Sequence, residues 1–204
     1  MIGNDIIDLC SSTLGNSQRQ QRYLDKIATQ AEQSLIKALG SEDRWIWLLW
    51  SIKESVYKII VRREKKIRFA PKSIVIKAIS SEGGFYLASV EYQDLRFDTS
   101  SELTKSYIHT IASDLTISIV DIYSEIIEID NSQNSSEQIR QSIITYIQSI
   151  LKAPETDYRI ITDDLRIPRL YIDGEEKGWI SISHDGGYGA FVSEAIYKKY
   201  QTGF

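Results

Sequence analysis

Trp50-Ser51-Ile52-Lys53-Glu54-Ser55-Val56-Tyr57-Lys58 is the most informative stretch of this 204-residue sequence. Glu54 and Lys58 are four residues apart, so on a helix they lie on one face. Trp47 and Trp50 extend that stripe by one and two turns towards the N-terminus. The stripe favours a helix whose buried aromatic run ends with an acid and a base at a pocket. An ordinary surface ion pair has the same spacing.

The segments before this helix predict a strand and another helix. Residues 1–9 are short and apolar around two aspartates, which is typical of a buried strand with a polar interruption. Residues 17–39 carry apolar side chains at helical spacing and end at Gly40, so we expect one helix there. Ser41 is the expected cap of the motif helix, which should extend to about Arg63.

The second half of the sequence alternates between strand and helix patterns. Residues 72–122 contain four predicted strands, SIVIKAIS, GFYLASVEY, SYIHTIA and LTISIVDI. A polar break at 130–137 leads into a helix, where Asn134 and Glu137 have capping-box spacing, and three more strands follow. We therefore predict an α+β protein with two lobes of unequal size. The predicted lobes are residues 1–130 and 131–204.

Composition excludes several classes of function. The net charge of -4 and the pI of about 5.3 argue against a nucleic-acid binder. Cys10 is the single cysteine, so neither an intramolecular disulfide nor a cysteine-rich zinc site is possible. The start, MIGNDIIDL, lacks the features of a signal peptide, and the apolar stretch 45–52 is too short to span a bilayer. We expect a cytoplasmic protein that binds neither nucleic acid nor membrane.

Two further motifs suggest a binding site. In Gly3-Asn4-Asp5, an aspartate within an apolar strand needs compensation, either from a cation or from backbone N–H groups at a strand end. In Ser181-Ile182-Ser183-His184, alternating Ile and Ser predicts a half-buried strand. Ser183 and His184 are able to hold a phosphate, although a solvent-facing imidazole is the simpler interpretation. A Ser-His-Asp hydrolase is excluded because adjacent strand residues point to opposite faces.

Taken together, the three motifs resemble the hallmarks of the 4'-phosphopantetheinyl transferase superfamily. Those hallmarks are a Gly-x-Asp strand, a Trp/Phe-x-x-Lys-Glu-Ser/Ala-x-x-Lys helix and a Ser-Ile-Ser-His strand. The resemblance extends from residue 3 to about residue 192. It implies a two-lobed, pseudo-twofold α+β fold in which helices pack on small antiparallel sheets. The implied reaction is Mg²⁺-dependent transfer of 4'-phosphopantetheine from coenzyme A to a serine of an apo acyl or peptidyl carrier protein. The implied product is 3',5'-ADP.

The resemblance also assigns roles to the first two motifs. Asp5 and Glu54 are the implied Mg²⁺ ligands, which agrees with the oxygen ligands that this ion prefers. Larger members have another acid where this sequence has Ile7, so water is expected to complete the coordination. Glu54 and Lys58 are the implied catalytic residues, and either one is a candidate for the general base.

Coenzyme A phosphates are the implied ligands of Ser183 and His184. The segment 166–169, Arg-Ile-Pro-Arg, resembles a Gly-Lys-Pro segment of the family, but Ile167 stands at the lysine position. Arg166 or Arg169 is expected to replace that lysine, because guanidinium suits phosphate oxygens. The basic segment 62–68 is either a docking surface for an acidic carrier protein or an ordinary helix end.

The order of the motifs bears on the assembly. In two-lobed members the Ser-His strand precedes the Gly-x-Asp strand, so the present order implies exchanged lobes and an active site within a monomer. The rival is a subunit of the small trimeric type that carries a large insertion. Ile7 and Ile167 also leave open a catalytically weak or inactive relative that binds coenzyme A or a carrier protein.

Overall fold

The computed structural model describes residues 1–65, 67–130, 134–152 and 156–194, without the side chains of Trp179 and Glu194. In this part of the chain, four α-helices pack on antiparallel sheets, which confirms the predicted α+β class. The helices are α1 (Ser17–Ile27), α2 (Gln30–Leu39), α3 (Asp43–Glu64) and α4 (Ser135–Leu151). The strands are β1 (Ile2–Asp8), β2 (Val75–Glu82), β3 (Phe85–Tyr92), β4 (Leu95–Leu103), β5 (Tyr107–Asp114), β6 (Ile122–Glu128), β7 (Tyr158–Thr162), β8 (Pro168–Ile172), β9 (Glu175–Asp185) and β10 (Tyr188–Glu194).

The described strands form two five-stranded sheets. The first has the order β1-β5-β4-β3-β2, and the second has the order β6-β10-β9-β8-β7. In the first sheet Asp5 lies opposite Thr110, and in the second Ser183 lies opposite Ala190. The two sheets therefore place the first and third motifs on β1 and β9.

Each sheet has a long helix on one face, and each pair encloses a core. Apolar side chains at i, i+3 and i+4 positions explain both helices. Burial of each large apolar side chain contributes about 1.5–3 kcal/mol. The fully buried apolar residues of α3 are Leu48, Leu49, Ile52, Val56, Ile59 and Ile60, and those of α4 are Ile139, Ile143 and Ile147.

Strand β1 joins the two sheets. The backbone N–H of Asn4 donates to Ser181 Oγ at 3.2 Å, and its side-chain amide donates to Ser183 Oγ at 3.0 Å. At the end of β1, Asp8 Oδ2 accepts a hydrogen bond from the Gly187 N–H at 2.9 Å. The first motif is thus in direct contact with the strand that carries the third motif.

The predicted helix boundaries need two corrections. The single helix expected over 17–39 is wrong, because the chain breaks at Thr29, which caps α2. Thr29 and Glu32 form a reciprocal capping box, whose Thr-x-x-Glu spacing is visible in the sequence. Ser41 is not the cap of α3, since Glu42 occupies that position without a side-chain cap.

The strand predictions were incomplete. The strand expected over 115–122 is wrong, because this region forms a turn and a short 3-10 helix, Ile119–Asp121. Strands β4, β6 and β7 were not predicted, and β4 buries Thr99 and Ser101 where the pattern requires apolar residues. Strand β6 pairs with β10, so the chain passes from the first sheet to the second before residue 130. The division at 130 remains a prediction.

Candidate active site

The first two motifs meet because β1 lies directly against α3. A Cβ atom at Gly3 would be only 2.1 Å from the carbonyl oxygen of Ser55, so a glycine is required for this approach. Asp5 lies two residues further along β1 and shares the strand face of Gly3. Its Oδ1 atom lies 3.7 Å from Lys58 Nζ. Two motifs that are separate in sequence therefore face each other.

Asp5 is a buried carboxyl group with little compensation. Only 8% of its surface is exposed, and its Oδ2 atom has no regular hydrogen bond within the described part of the chain. Burial raises the pKa of Asp5 to about 7, with Lys58 lowering this pKa and the negative charge of Glu54 raising it. A neighbouring cation would stabilise the ionised form of Asp5.

Glu54, which lies on α3, is also partly removed from solvent. Burial raises the pKa of Glu54, while the Lys58 ammonium opposes this rise. Tyr23 packs on the Trp47 and Trp50 rings, and burial followed by the charges of Glu54 and Asp5 raises the pKa of its hydroxyl. The aromatic stripe therefore ends next to the two acids.

Lys58 connects both sheets to α3. Its ammonium donates to the Asn4 carbonyl on β1 at 2.7 Å and to the Ile182 carbonyl on β9 at 3.4 Å. Strand β9 extends beyond its pairing with β8, so the Ile182 carbonyl lies on an edge of β9 with which no described strand pairs. Arg62, one turn further along α3, donates to the Ile180 carbonyl on the same edge.

The two acids fit a divalent cation. The buried carboxyl group of Asp5 and the half-buried carboxyl group of Glu54 provide hard oxygen ligands of the kind that Mg²⁺ prefers. Among the described residues, no group of three or more His, Cys, Asp or Glu side chains lies close enough to hold a metal. Ile7, where larger family members have an acid, is buried in the first core. Asp5 and Glu54 as a pair of magnesium ligands therefore remain a prediction, in which water or substrate oxygens would complete the coordination.

Ser183 and His184 lie on opposite faces of β9. Ser183 is buried at the junction with β1, where its Oγ accepts the Asn4 hydrogen bond, but this hydroxyl can still donate one of its own. His184 is exposed on the other face. Their assignment to coenzyme A phosphates remains a prediction, and His184 is the more accessible of the two.

The arginine segment borders a small cleft beside Lys58. The cleft has a volume of about 230 Å³ and is lined by Lys58, Arg62 and Arg166 together with apolar side chains. The Arg166 side chain is exposed, whereas Arg169 is paired with Asp163 at 3.5 Å and with Glu176 at 2.6 Å. Arg166 is therefore available to a phosphate, and Arg169 holds the segment in place.

Larger grooves lie elsewhere on the surface. One of about 750 Å³ runs between α4 and β6, and another of about 840 Å³ covers the outer face of the first sheet. Neither is lined by any residue of the three motifs. Size alone therefore does not identify the functional site, and the cleft beside Lys58 is the better candidate because Lys58, Arg62 and Arg166 line it.

The basic segment 62–68 is less available than predicted. Arg62 contacts the Ile180 carbonyl, and Arg63 pairs with Asp114 at 2.7 Å. Lys66 lies outside the described residues. Two of the arginines proposed for carrier docking thus have structural partners instead.

A family model described as the 4'-phosphopantetheinyl transferase superfamily matches residues 1–112. This region is more than half of the 204 residues and contains Asp5, Glu54 and Lys58. The chain belongs to this superfamily. It is therefore a transferase of the phosphopantetheinyl transferase kind. The match ends within β5, so the Ser-Ile-Ser-His strand and the arginine segment lie beyond it.

Two other comparisons add no relative. Neither the curated proteins nor the solved structures contain a match to this chain. Among the described helices, none is long and apolar enough to cross a bilayer.

Proposed function

We propose that this protein transfers 4'-phosphopantetheine from coenzyme A to a serine hydroxyl of an apo acyl or peptidyl carrier protein. The observation that carries the proposal is the convergence of Asp5, Glu54 and Lys58, which come from two motifs, beside a cleft lined by basic side chains. A buried acid, a half-buried acid and a lysine beside a basic cleft suit the handling of a pyrophosphate.

The proposed chemistry is a phosphoryl transfer. The carrier serine oxygen attacks the β-phosphorus of coenzyme A and forms a new P–O bond. The bond from that phosphorus to the bridging oxygen breaks, and 3',5'-ADP leaves. Glu54 accepts the serine proton, directly or through a water molecule. Burial raises the pKa of Glu54, which makes its carboxylate a stronger base than an exposed glutamate.

Lys58 is the proposed charge-neutralising group. Two carbonyl oxygens hold its ammonium in place, and its third proton remains for a phosphate oxygen. Asp5 and Glu54 would hold Mg²⁺, which supplies neutralisation of the pyrophosphate charge when bound. Lys58 as the general base is the rival assignment. It predicts that Lys58→Arg, which keeps the charge, loses as much turnover as Lys58→Met.

His184 and Arg166 are the proposed contacts for coenzyme A phosphates. Both side chains are exposed, and Arg166 lines the cleft. His184→Ala and Arg166→Ala should each raise the dissociation constant for coenzyme A, because they remove a ground-state contact. Arg159→Ala is a matched control, since Arg159 is an exposed arginine of the second sheet that pairs with its neighbour Asp157.

A monomer should be sufficient for activity. Both sheets, which carry the first and third motifs, come from one chain and meet at β1. Light scattering on active protein should therefore give the mass of one chain. An obligate trimer that loses activity on dissociation would favour the small trimeric type instead.

Intact-mass spectrometry of apo carrier proteins tests the proposed function. Apo carriers from fatty-acid, polyketide and nonribosomal peptide synthesis are incubated with the protein, coenzyme A and Mg²⁺. We expect at least one carrier to gain the phosphopantetheine mass. If no carrier is modified while calorimetry shows coenzyme A binding, the inactive-relative alternative is correct.

A further inference from the structure

Lys53 and Glu32 form an ion pair in the interior of the protein, directly next to Glu54 in sequence. The Lys53 ammonium lies 2.7 Å from Glu32 Oε1, and both side chains are fully shielded from solvent. Lys53 has none of the roles that the motif assigns to Glu54 and Lys58. It is one of the largest fully buried side chains among the described residues.

Every polar atom of the pair has a partner. Lys53 also donates to the Pro71 and Ile74 carbonyls, each at 2.8 Å. Glu32 Oε1 accepts the Ile76 N–H at 2.8 Å, and Glu32 Oε2 accepts two hydrogen bonds from Thr29. The pair therefore links α3 to the start of α2, to the segment before β2 and to β2 itself.

The pair is an inefficient way to stabilise a core. Moving two charges out of water costs free energy that their attraction only partly returns, and apolar residues of similar volume are often equally stable. Burial lowers the pKa of Lys53, because the interior disfavours its charged form, and Glu32 opposes this change. The direction of the shift reflects the same cost of burying a charge. What an ion pair provides, and apolar packing does not, is a fixed direction for each bond.

We propose that Lys53 and Glu32 are positioning residues, which fix the rotation and height of α3 so that Glu54 and Lys58 face Asp5. Lys53 immediately precedes Glu54, so a rotation of α3 about its axis moves both side chains together. Three anchors of Lys53, to Glu32 and to the Pro71 and Ile74 carbonyls, resist that rotation on one side of the helix, while Gly3 sets the closest approach on the β1 side. The inference rests on the proposed function, in which Asp5 and Glu54 share a divalent cation.

The test compares Lys53→Met, Glu32→Gln and the double variant with the wild type. Mn²⁺ binding is followed by electron paramagnetic resonance, carrier transfer gives kcat and KM, and urea unfolding gives stability. We expect each single variant to weaken Mn²⁺ binding roughly 10- to 100-fold, as is usual when a group that orients metal ligands is lost. The KM for coenzyme A should stay within about twofold, because His184 lies on β9 and Arg166 lies between β7 and β8, away from the Lys53–Glu32 pair.

The double variant separates positioning from stability. It leaves no unpaired buried charge, so its stability should recover towards that of the wild type, while its Mn²⁺ affinity should remain low. Ile147→Ala is the control, because it destabilises α4 and the second core without touching α3. Its Mn²⁺ affinity should equal that of the wild type.

Three results would overturn the inference. They are wild-type Mn²⁺ affinity in either folded single variant, recovery of Mn²⁺ affinity in the double variant, and an equal loss of affinity in Ile147→Ala. If Lys53→Met does not fold, Glu32→Gln gives the answer alone. Wild-type protein that binds Mn²⁺ but modifies no carrier contradicts only the proposed transfer. Wild-type protein that does not bind Mn²⁺ contradicts both.

Discussion

Asp5→Asn should stabilise the metal-free protein while it abolishes transfer. Burial raises the pKa of Asp5 from its ordinary value of 3.8 to about 7, so folding is opposed whenever this carboxyl is ionised. A shift of this size corresponds to roughly 4 kcal/mol at a pH above both values. An asparagine has a similar shape, carries no charge and removes this cost.

The pH dependence of the effect follows from linkage. The folded state binds the Asp5 proton more tightly than the unfolded state does, so protonation of Asp5 stabilises the folded state. This contribution to the free energy of unfolding is complete below pH 3.8. It is lost as the pH rises through the folded pKa of about 7. The advantage of Asp5→Asn should therefore be largest at pH 8 and small near pH 4.

Thermal unfolding in the presence of EDTA measures the difference. At pH 8, a gain of roughly 4 kcal/mol should raise the melting temperature by about 10 °C. Mg²⁺ should then stabilise the wild type but not the variant, because only the native ligand pair binds it. Asp8→Asn is the control and should destabilise, since Asp8 accepts backbone hydrogen bonds from Cys10 and Gly187. An unchanged or lower melting temperature for Asp5→Asn would refute the argument.

Two further predictions concern the junction around β1. Burial lowers the pKa of His109 from 6.5 to about 4, so the contribution of His109 to stability should fall by roughly 3 kcal/mol as the pH drops from about 6.5 to 4. Asp5 titrates in the same range with the opposite sign, so urea unfolding is compared between Asp5→Asn and Asp5→Asn with His109→Gln, and only the first should lose stability towards pH 4. A slope that persists after His109→Gln would assign it to another group. Gly3→Ala should lower both stability and turnover because the new Cβ meets the Ser55 carbonyl, whereas Gly178→Ala has open space and should change neither. Equal unfolding midpoints for the two glycine variants would contradict the close approach of β1 and α3.

The sequence predicts the α+β class and the motif helix, but not every strand. The spacing of Glu54 and Lys58 is a local property of one helix, and α3 was correctly expected. Strand β4 was missed because Thr99 and Ser101 occupy its buried face, where a period-2 pattern needs apolar residues. Their burial depends on neighbouring strands, such as the Ser101–Thr110 hydroxyl contact, which no local pattern encodes.

The contacts that complete the site are also long-range. Arg62 reaches a carbonyl 118 residues away, and Lys58 reaches one 124 residues away, so their roles depend on how the sheets meet. A capping box over Thr29 and Glu32 was visible in the sequence, and would have divided the helix predicted over 17–39. That Glu32 also neutralises Lys53 could not have been read from sequence, because the pairing depends on how α2 packs against α3.

The most direct test of the account is intact-mass spectrometry of a responsive apo carrier with the wild type and with Glu54→Gln, at saturating Mg²⁺ and coenzyme A. Glu54 is assigned both to the metal pair and to the acceptance of the serine proton. Wild-type protein should add one phosphopantetheine to the carrier. Folded Glu54→Gln should add almost none, even though it still binds coenzyme A. Near-normal transfer by Glu54→Gln would remove Glu54 from the site and contradict the account.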